Sequence, residues 1–247
     1  LSEMDPTIQQ LLSTVPDHPK WVELRAMLLS GQCEIYELED AKGLSFLARQ
    51  AEMEMVAICG RPAPDAIRRV IALPPSPETV LCPPEDWRHV AEALPEWRSE
   101  LATIYSLATG ERLPEVPADA VRLLSISEIE TMYHAPAELK EELIDAATYS
   151  PVAATCLGKL PVSFCYAGSR TESLWDISID TLAEYRNRGY AALCVSFMIE
   201  YFHRRDLAPV WGAVESNIPS MRLAAKLGFT PVDQIVVFEQ SDQAAVA

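Results

Sequence analysis

The chain has 247 residues, 49% of them apolar, enough for one large single-core domain or two smaller ones. Asp and Glu number 36 against 20 Lys and Arg, a formal net charge of −16, which repels a polyphosphate backbone and excludes nucleic acid as an expected partner. The six cysteines form no CxxC pair and lie mostly in apolar runs, predicting buried reduced thiols; LSEMDPTIQQLL lacks a basic lead into an apolar core, and charges or prolines break every candidate span, so a cytoplasmic protein with no membrane partner is expected.

In chain order, Ile8, Leu11 and Leu12, then Trp21, Leu24, Met27 and Leu28, recur at three- and four-residue spacing and predict packing helices. The short runs EIYEL, LSFLARQ and EMVAIC come next as strands of an antiparallel meander, the first two joined by a hairpin-like turn at Asp40 to Gly43. Then come helical DAIRRVIAL, strand-like TVLC, helical EDWRHVAEAL with Pro83 and Pro84 at its start, and strand-like ELATIYSLA. The run GERLPEVPADA combines glycine, prolines and charges without periodicity and reads as a linker, dividing an N-terminal α+β half at 1–115 from a second domain at 116–247.

Beyond the linker, VRLLSI reads as a strand and PAELKEELIDAA as a helix with Leu139, Leu143, Ile144 and Ala147 on one face. Two strands turn at Gly158-Lys159, and LWDISIDTL alternates Trp175, Ile177, Ile179 and Thr181, predicting one buried face. EYRNRGYAALCVSFMIEYF then passes from a strand end through a glycine turn into a helix. Ser196, Glu200, His203 and Arg204 form one polar stripe on it, so packing fixes its N-terminus. Unpaired N–H groups and the positive end of the helix dipole at such a terminus suit a phosphate, Gly189 allows close backbone approach, and Arg186 and Arg188 add charge. The turn is neither GxGxxG nor GxxxxGK[ST]. Next come strand-like APVWGAVE and a helix capped by Asn217, with Leu223, Ala224 and Leu227 inward and Gly228 as its stop.

That order of elements, with these residues, resembles the core of the GNAT superfamily of acyl-CoA-dependent N-acyltransferases. The superfamily's pyrophosphate loop has Arg or Gln, two residues, Gly, one residue, then Gly or Ala; here the run is Arg186-Asn187-Arg188-Gly189-Tyr190-Ala191. Its second signature, an Asn leading into a helix that ends Leu-Gly-Phe, matches Asn217 and Leu227-Gly228-Phe229. The resemblance implies a mixed α/β central sheet flanked by helices, acetyl-CoA as co-substrate, no metal, and transfer of an acetyl or short acyl group to a primary amine of a small molecule or peptide. It further implies that backbone groups near Ile179 and Thr181, with Asn217 and Ser220, hold the pantetheine arm in a splay beside the strand of Trp211. SLWDISIDTL, PVWGAVESN and LAAKLGF resemble a bacterial subgroup that includes antibiotic self-resistance acetyltransferases. The first half repeats the same order of elements, so it is either a degenerate GNAT-like copy that has lost its phosphate loop or an unrelated α+β cap.

One departure concerns protonation: many superfamily members carry a tyrosine, the acid for the leaving thiolate, where this chain has Ala224. The base is not fixed by the resemblance. Asp176 and Asp180, on one strand face with Ser178, and Glu215 are the carboxylate candidates, each with a structural alternative as a cap or solvated residue. His134 is a further loop candidate, and Trp175 and Trp211 line either a pocket or the core. No cysteine has a partner that would activate it, so direct attack of a neutral amine is expected over an acyl-enzyme. The competing readings are a CoA-binding module without turnover and a nucleotide-binding domain.

Overall fold

The computed structural model describes residues 5–39, 44–108 and 110–240, so the hairpin expected at Asp40 to Gly43 lies outside the described residues. The chain forms two compact units that interleave along the sequence. The first takes Leu1–Ile104, Gly212–Ile218 and Pro231–Ala247; the second takes Tyr105–Trp211 and Pro219–Thr230.

In the first unit, helix α1 (Pro6–Thr14) starts behind Asp5, whose carboxylate accepts the Thr7 N–H at 2.7 Å, and α2 (Val22–Ser30) stops at Gly31 with φ 71°. Together they bury Ile8, Leu11, Leu24, Met27 and Leu28 against Phe46, Ala48 and Ala57. Strands β1 (Glu34–Glu39), β2 (Ser45–Gln50) and β3 (Met55–Cys59) form the expected antiparallel meander. Helix α3 (Pro64–Ile71) then crosses to β4 (Thr79–Cys82), which pairs parallel to β3; α4 (Trp87–Ala93) leads on to β5 (Trp97–Leu107). The last strand of the chain, Phe229–Gln240, which is β11 in chain order, completes this unit in the order β1-β2-β3-β4-β11-β5. It pairs antiparallel with β4 and places Val236 and Phe238, both fully buried, among Leu47, Val56, Ile67, Val80 and Val90.

The second unit has strand order β10-β9-β8-β7-β6, built from β6 (Val121–Leu124), β7 (Val152–Leu157), β8 (Leu160–Arg170), β9 (Leu174–Thr181) and β10 (Ala208–Val214). Pairing is antiparallel from β6 to β9 and parallel between β9 and β10, with α7 (Tyr190–His203) as the crossover. Helices α5 (Ile126–Glu130) and α6 (Ala137–Tyr149) pack Ile129, Leu143 and Ala146 on the face that carries Ala154, Phe164 and Tyr166. The alternate face meets α7, where the Cys194 thiol donates to the carbonyls of Ala153 at 3.4 Å and Ser163 at 3.6 Å and Phe202 lies 4.5 Å from the Trp175 ring. Helix α8 (Ile218–Lys226) ends at Gly228 with φ 87°.

Three expectations change. VRLLSI is a strand only to Leu124, because Ser125 and Glu128 form a reciprocal capping box that turns the chain into α5. Ser196 does not share the exposed stripe of Glu200, His203 and Arg204: it is 3% exposed, and its hydroxyl donates back to the Ala192 carbonyl at 2.8 Å. Cys59 is half-buried where the other five cysteines are buried.

Candidate active site

The turn between β9 and α7 carries two residues in the left-handed region, Asn187 at φ 60° and Gly189 at φ 86°. A Cβ built on Gly189 would meet no protein atom within 4 Å, so within the protein itself glycine is required here for its left-handed backbone conformation. Gly189 is the N-cap of α7, and no side chain caps that terminus. The first N–H groups of a helix have no intrahelical acceptor, and residues 186–189 are exposed, so this end presents backbone donors and the positive dipole end to solvent. Its aim is set from below: the hydroxyl of Thr155, 1% exposed on β7, donates to the Tyr190 carbonyl at 2.9 Å. Arg186 turns back and donates from Nε to the Thr181 carbonyl at 3.0 Å, while the Arg188 guanidinium lies 5.7 Å from the Tyr185 ring centre.

The parallel ladder between β9 and β10 has three residue pairs, Leu174 with Ala208, Trp175 with Pro209 and Asp176 with Val210, yet β9 runs on to Thr181. Beyond Asp176 the strand keeps β8 as its partner, Ile179 opposite Cys165 and Thr181 opposite Ser163. Burial fades along this stretch, from Trp175 and Ile177 in the core to half-buried Ile179 and Thr181. Both tryptophans are core residues: Trp175 is fully buried against Phe202, and Trp211, 1% exposed, packs on Phe229 and donates from Nε1 to the Ser220 hydroxyl at 2.9 Å. Glu215 and Asn217 belong to the first unit and are exposed, their N–H groups donating to Leu101 and Val214 carbonyls, both at 2.9 Å.

Asp176, Ser178 and Asp180 are all half-buried on one face of β9, and the cross-strand register puts Tyr166 of β8 opposite Ser178 on that face. A Cβ on Gly168 would lie 2.9 Å from the Ser178 hydroxyl and 3.6 Å from the Asp176 carboxylate, so this glycine makes the room they occupy. The Tyr166 hydroxyl donates to the carboxylate of Glu142 on α6. Burial pushes the Asp180 carboxyl above the usual carboxylate range; the charge of Glu142 adds to this and Arg186 opposes it. Burial and Glu142 likewise push the Tyr166 phenol far up. Cys194 is raised to about 12 and Cys165 well above its ordinary value, both by burial, so neither is a nucleophile at neutral pH. His134 is held in the structure through a 2.8 Å hydrogen bond between Nε2 and the Pro161 carbonyl, and Ala224 is fully buried.

Sequence reasoning missed Thr155, Gly168 and Glu142. The alternation of VSFCYAG signalled that Tyr166 shares a face with Phe164, but nothing local linked it to a glutamate 24 residues earlier. Among the described residues no group of three or more His, Cys, Asp or Glu is placed to hold a metal ion, and no helix is long and apolar enough to cross a membrane.

A mixed sheet flanked by helices, with an uncapped helix start following the strand that outruns its parallel neighbour, defines an α/β protein. Residues 154–238, about a third of the chain, match the family model described as GNAT acetyltransferase. Solved structures extend the likeness in fold to nearly the whole chain. A GCN5-related N-acetyltransferase-like protein from Streptococcus suis superposes with TM-score 0.67 at 18% identity, over 97% of this chain and 100% of that one. A GCN5-related N-acetyltransferase from Kribbella flavida gives 0.61 at 12%, over 98% and 99%. A tandem GNAT protein from the clavulanic acid biosynthesis pathway gives 0.53 at 15%, over 95% of both chains. A comparison with curated proteins found no match.

Proposed function

We propose that the protein is an N-acyltransferase that moves an acetyl or short acyl group from CoA to a primary amine of a small molecule or peptide. The observation that carries this reading is the uncapped start of α7, with Gly189 in the left-handed region and residues 186–189 exposed. The donors there fit a pyrophosphate, and the stretch of β9 from Ile177 to Thr181, past the end of its β10 ladder, fits an extended pantetheine arm laid alongside. Ser220, in the same unit as β9, is assigned to this arm as well, although it is already engaged by Trp211. When bound, acyl-CoA supplies the thioester carbonyl; the amine nitrogen forms the new C–N bond as the C–S bond breaks and the thiolate departs. The chain's own part is to orient the reactants and take the proton from the ammonium group. Asp180 or Asp176 is assigned that proton, ahead of Glu215, because they stand on the strand that would hold the arm. A CoA-binding module without turnover is the second reading, favoured by Ala224 at the family tyrosine position.

The test is thermal stabilisation by acetyl-CoA. Wild type should gain several degrees at saturating ligand, Arg204→Ala should behave alike, and Gly189→Val, forced into a left-handed backbone at a cost of about 1–2 kcal/mol, should lose most of the gain. Equal stabilisation of wild type and Gly189→Val would remove the loop assignment. Release of CoA in a panel of amines then separates the enzyme from the module.

A further inference from the structure

The first unit contains the same sequence of pairings as the second. In each, a three-strand antiparallel meander ends in a strand that crosses through a helix to a parallel neighbour, and in each that parallel ladder has three residue pairs. In the first unit these are Met55 with Thr79, Val56 with Val80 and Ala57 with Leu81. Past the ladder the two units differ. Where β9 runs on with half-buried residues, β3 stops at Cys59, and the space past the ladder is closed. The residual cavity there is about 10 Å³, bounded by Ala57, Ile58, Leu81 and Cys82 on the strand side and by Lys20, Trp21 and Leu24 on the other; it holds one water at most.

The plug is anchored. A 3-10 turn at Pro19–Trp21 delivers it, and the Lys20 ammonium, whose side chain is 14% exposed, pairs with Glu85 at 3.5 Å and Asp233 at 3.7 Å. The helix start that would face a pyrophosphate is also unfit. Pro62 and Pro64 have no N–H; the Ala66 and Ile67 N–H groups both donate to the Ala63 carbonyl, at 2.8 and 3.1 Å; and Asp65 puts a carboxylate in the first turn of α3. Gly60 has a positive φ like Gly189, but a Cβ there would lie 2.4 Å from the Leu44 carbonyl oxygen, so this turn is packed against β2 and not open to a ligand.

We infer that the first unit is a second acyltransferase-type repeat whose cofactor cleft is filled by the chain's own residues 19–24, so that each chain takes up one molecule of acyl-CoA, in the second unit. This rests on the functional reading of the second unit as an acyl-CoA site. Calorimetric titration of the full chain with acetyl-CoA should give one equivalent, and Trp21→Ala should leave that count at one, because trimming the plug restores no N–H donors. Gly189→Val should weaken the single event at least tenfold. A second equivalent in wild type or in Trp21→Ala overturns the inference while leaving the function intact. A single event that survives Gly189→Val but is lost in Cys82→Trp, placed in the filled cleft, overturns it as well. Absence of any binding by wild type would instead remove the functional reading, and the count of one with it.

Discussion

Asp180 shows how three elements act on a single carboxylate. It is half-buried on β9, raised by burial and by Glu142 of α6, and lowered by Arg186 of the following turn. The same face carries Asp176 and Tyr166, the latter hydrogen-bonded to Glu142. If Asp180 takes the substrate proton, only its deprotonated form is active. Activity then falls as pH drops through a value above the ordinary aspartate pKa of about 3.9. Removing a neighbouring negative charge makes deprotonation easier, so Glu142→Gln should move the acidic limb of the kcat/KM profile to lower pH. Arg186→Gln should move it to higher pH, and Asp180→Asn should depress the plateau by roughly a hundredfold or more. Profiles whose limbs coincide in wild type, Glu142→Gln and Arg186→Gln would pass the role to Asp176 or Glu215.

Short elements here are set by their ends as much as by their propensity. Helix α5 has only five residues and depends on its capping box, in which the Glu128 carboxylate accepts the Ser125 N–H at 2.9 Å and the Ser125 hydroxyl at 2.8 Å. Those bonds, led by the backbone one and joined by Arg122, lower the Glu128 pKa to about 2. A carboxyl depressed in the folded state stabilises the fold above its unfolded pKa of about 4.3, and that contribution is lost as pH falls toward 2. Glu128→Gln should therefore lower Tm at pH 7 and leave it unchanged near pH 2. Ser125→Ala should cost about 1 kcal/mol, read from chemical denaturation at pH 7. Equal effects of Glu128→Gln at both pH values would show that the charge is not what the cap uses.

At the scale of the molecule, the first unit is completed by the last strand of the chain. Val236 and Phe238 of β11 are fully buried among first-half residues, with Val236 opposite Cys82 on β4. A fragment beginning at Val121 keeps both motifs of the second half but strips these side chains of their core. Each such burial is worth about 1.5–3 kcal/mol, so the loss is comparable with the whole stability of a domain once the broken β4–β11 ladder is added. The fragment should show no cooperative thermal transition by circular dichroism, and a sharp one would show that the second unit is self-sufficient.

Sequence periodicity alone determined most of the elements, because a 3.6-residue or two-residue apolar repeat reports directly which face is buried. The paired helices at the N-terminus, the meander, the alternation of Trp175 to Thr181 and the glycine turn before α7 were all legible in this way. The turn's backbone chemistry was legible too, since Gly189 needs its glycine for a local reason, a positive φ. Features that depend on distant partners were not. Ser196 counted as polar by type but is buried, because its hydroxyl is satisfied by its own helix. The hydrogen bond of Tyr166 to Glu142, the support of Tyr190 by Thr155, the room made by Gly168, and the return of β11 to β4 each join residues far apart in sequence. The plug of Lys20 and Trp21 belongs with them: its residues carry no local sign of what they fill, and only packing brings them to the ends of β3 and β4.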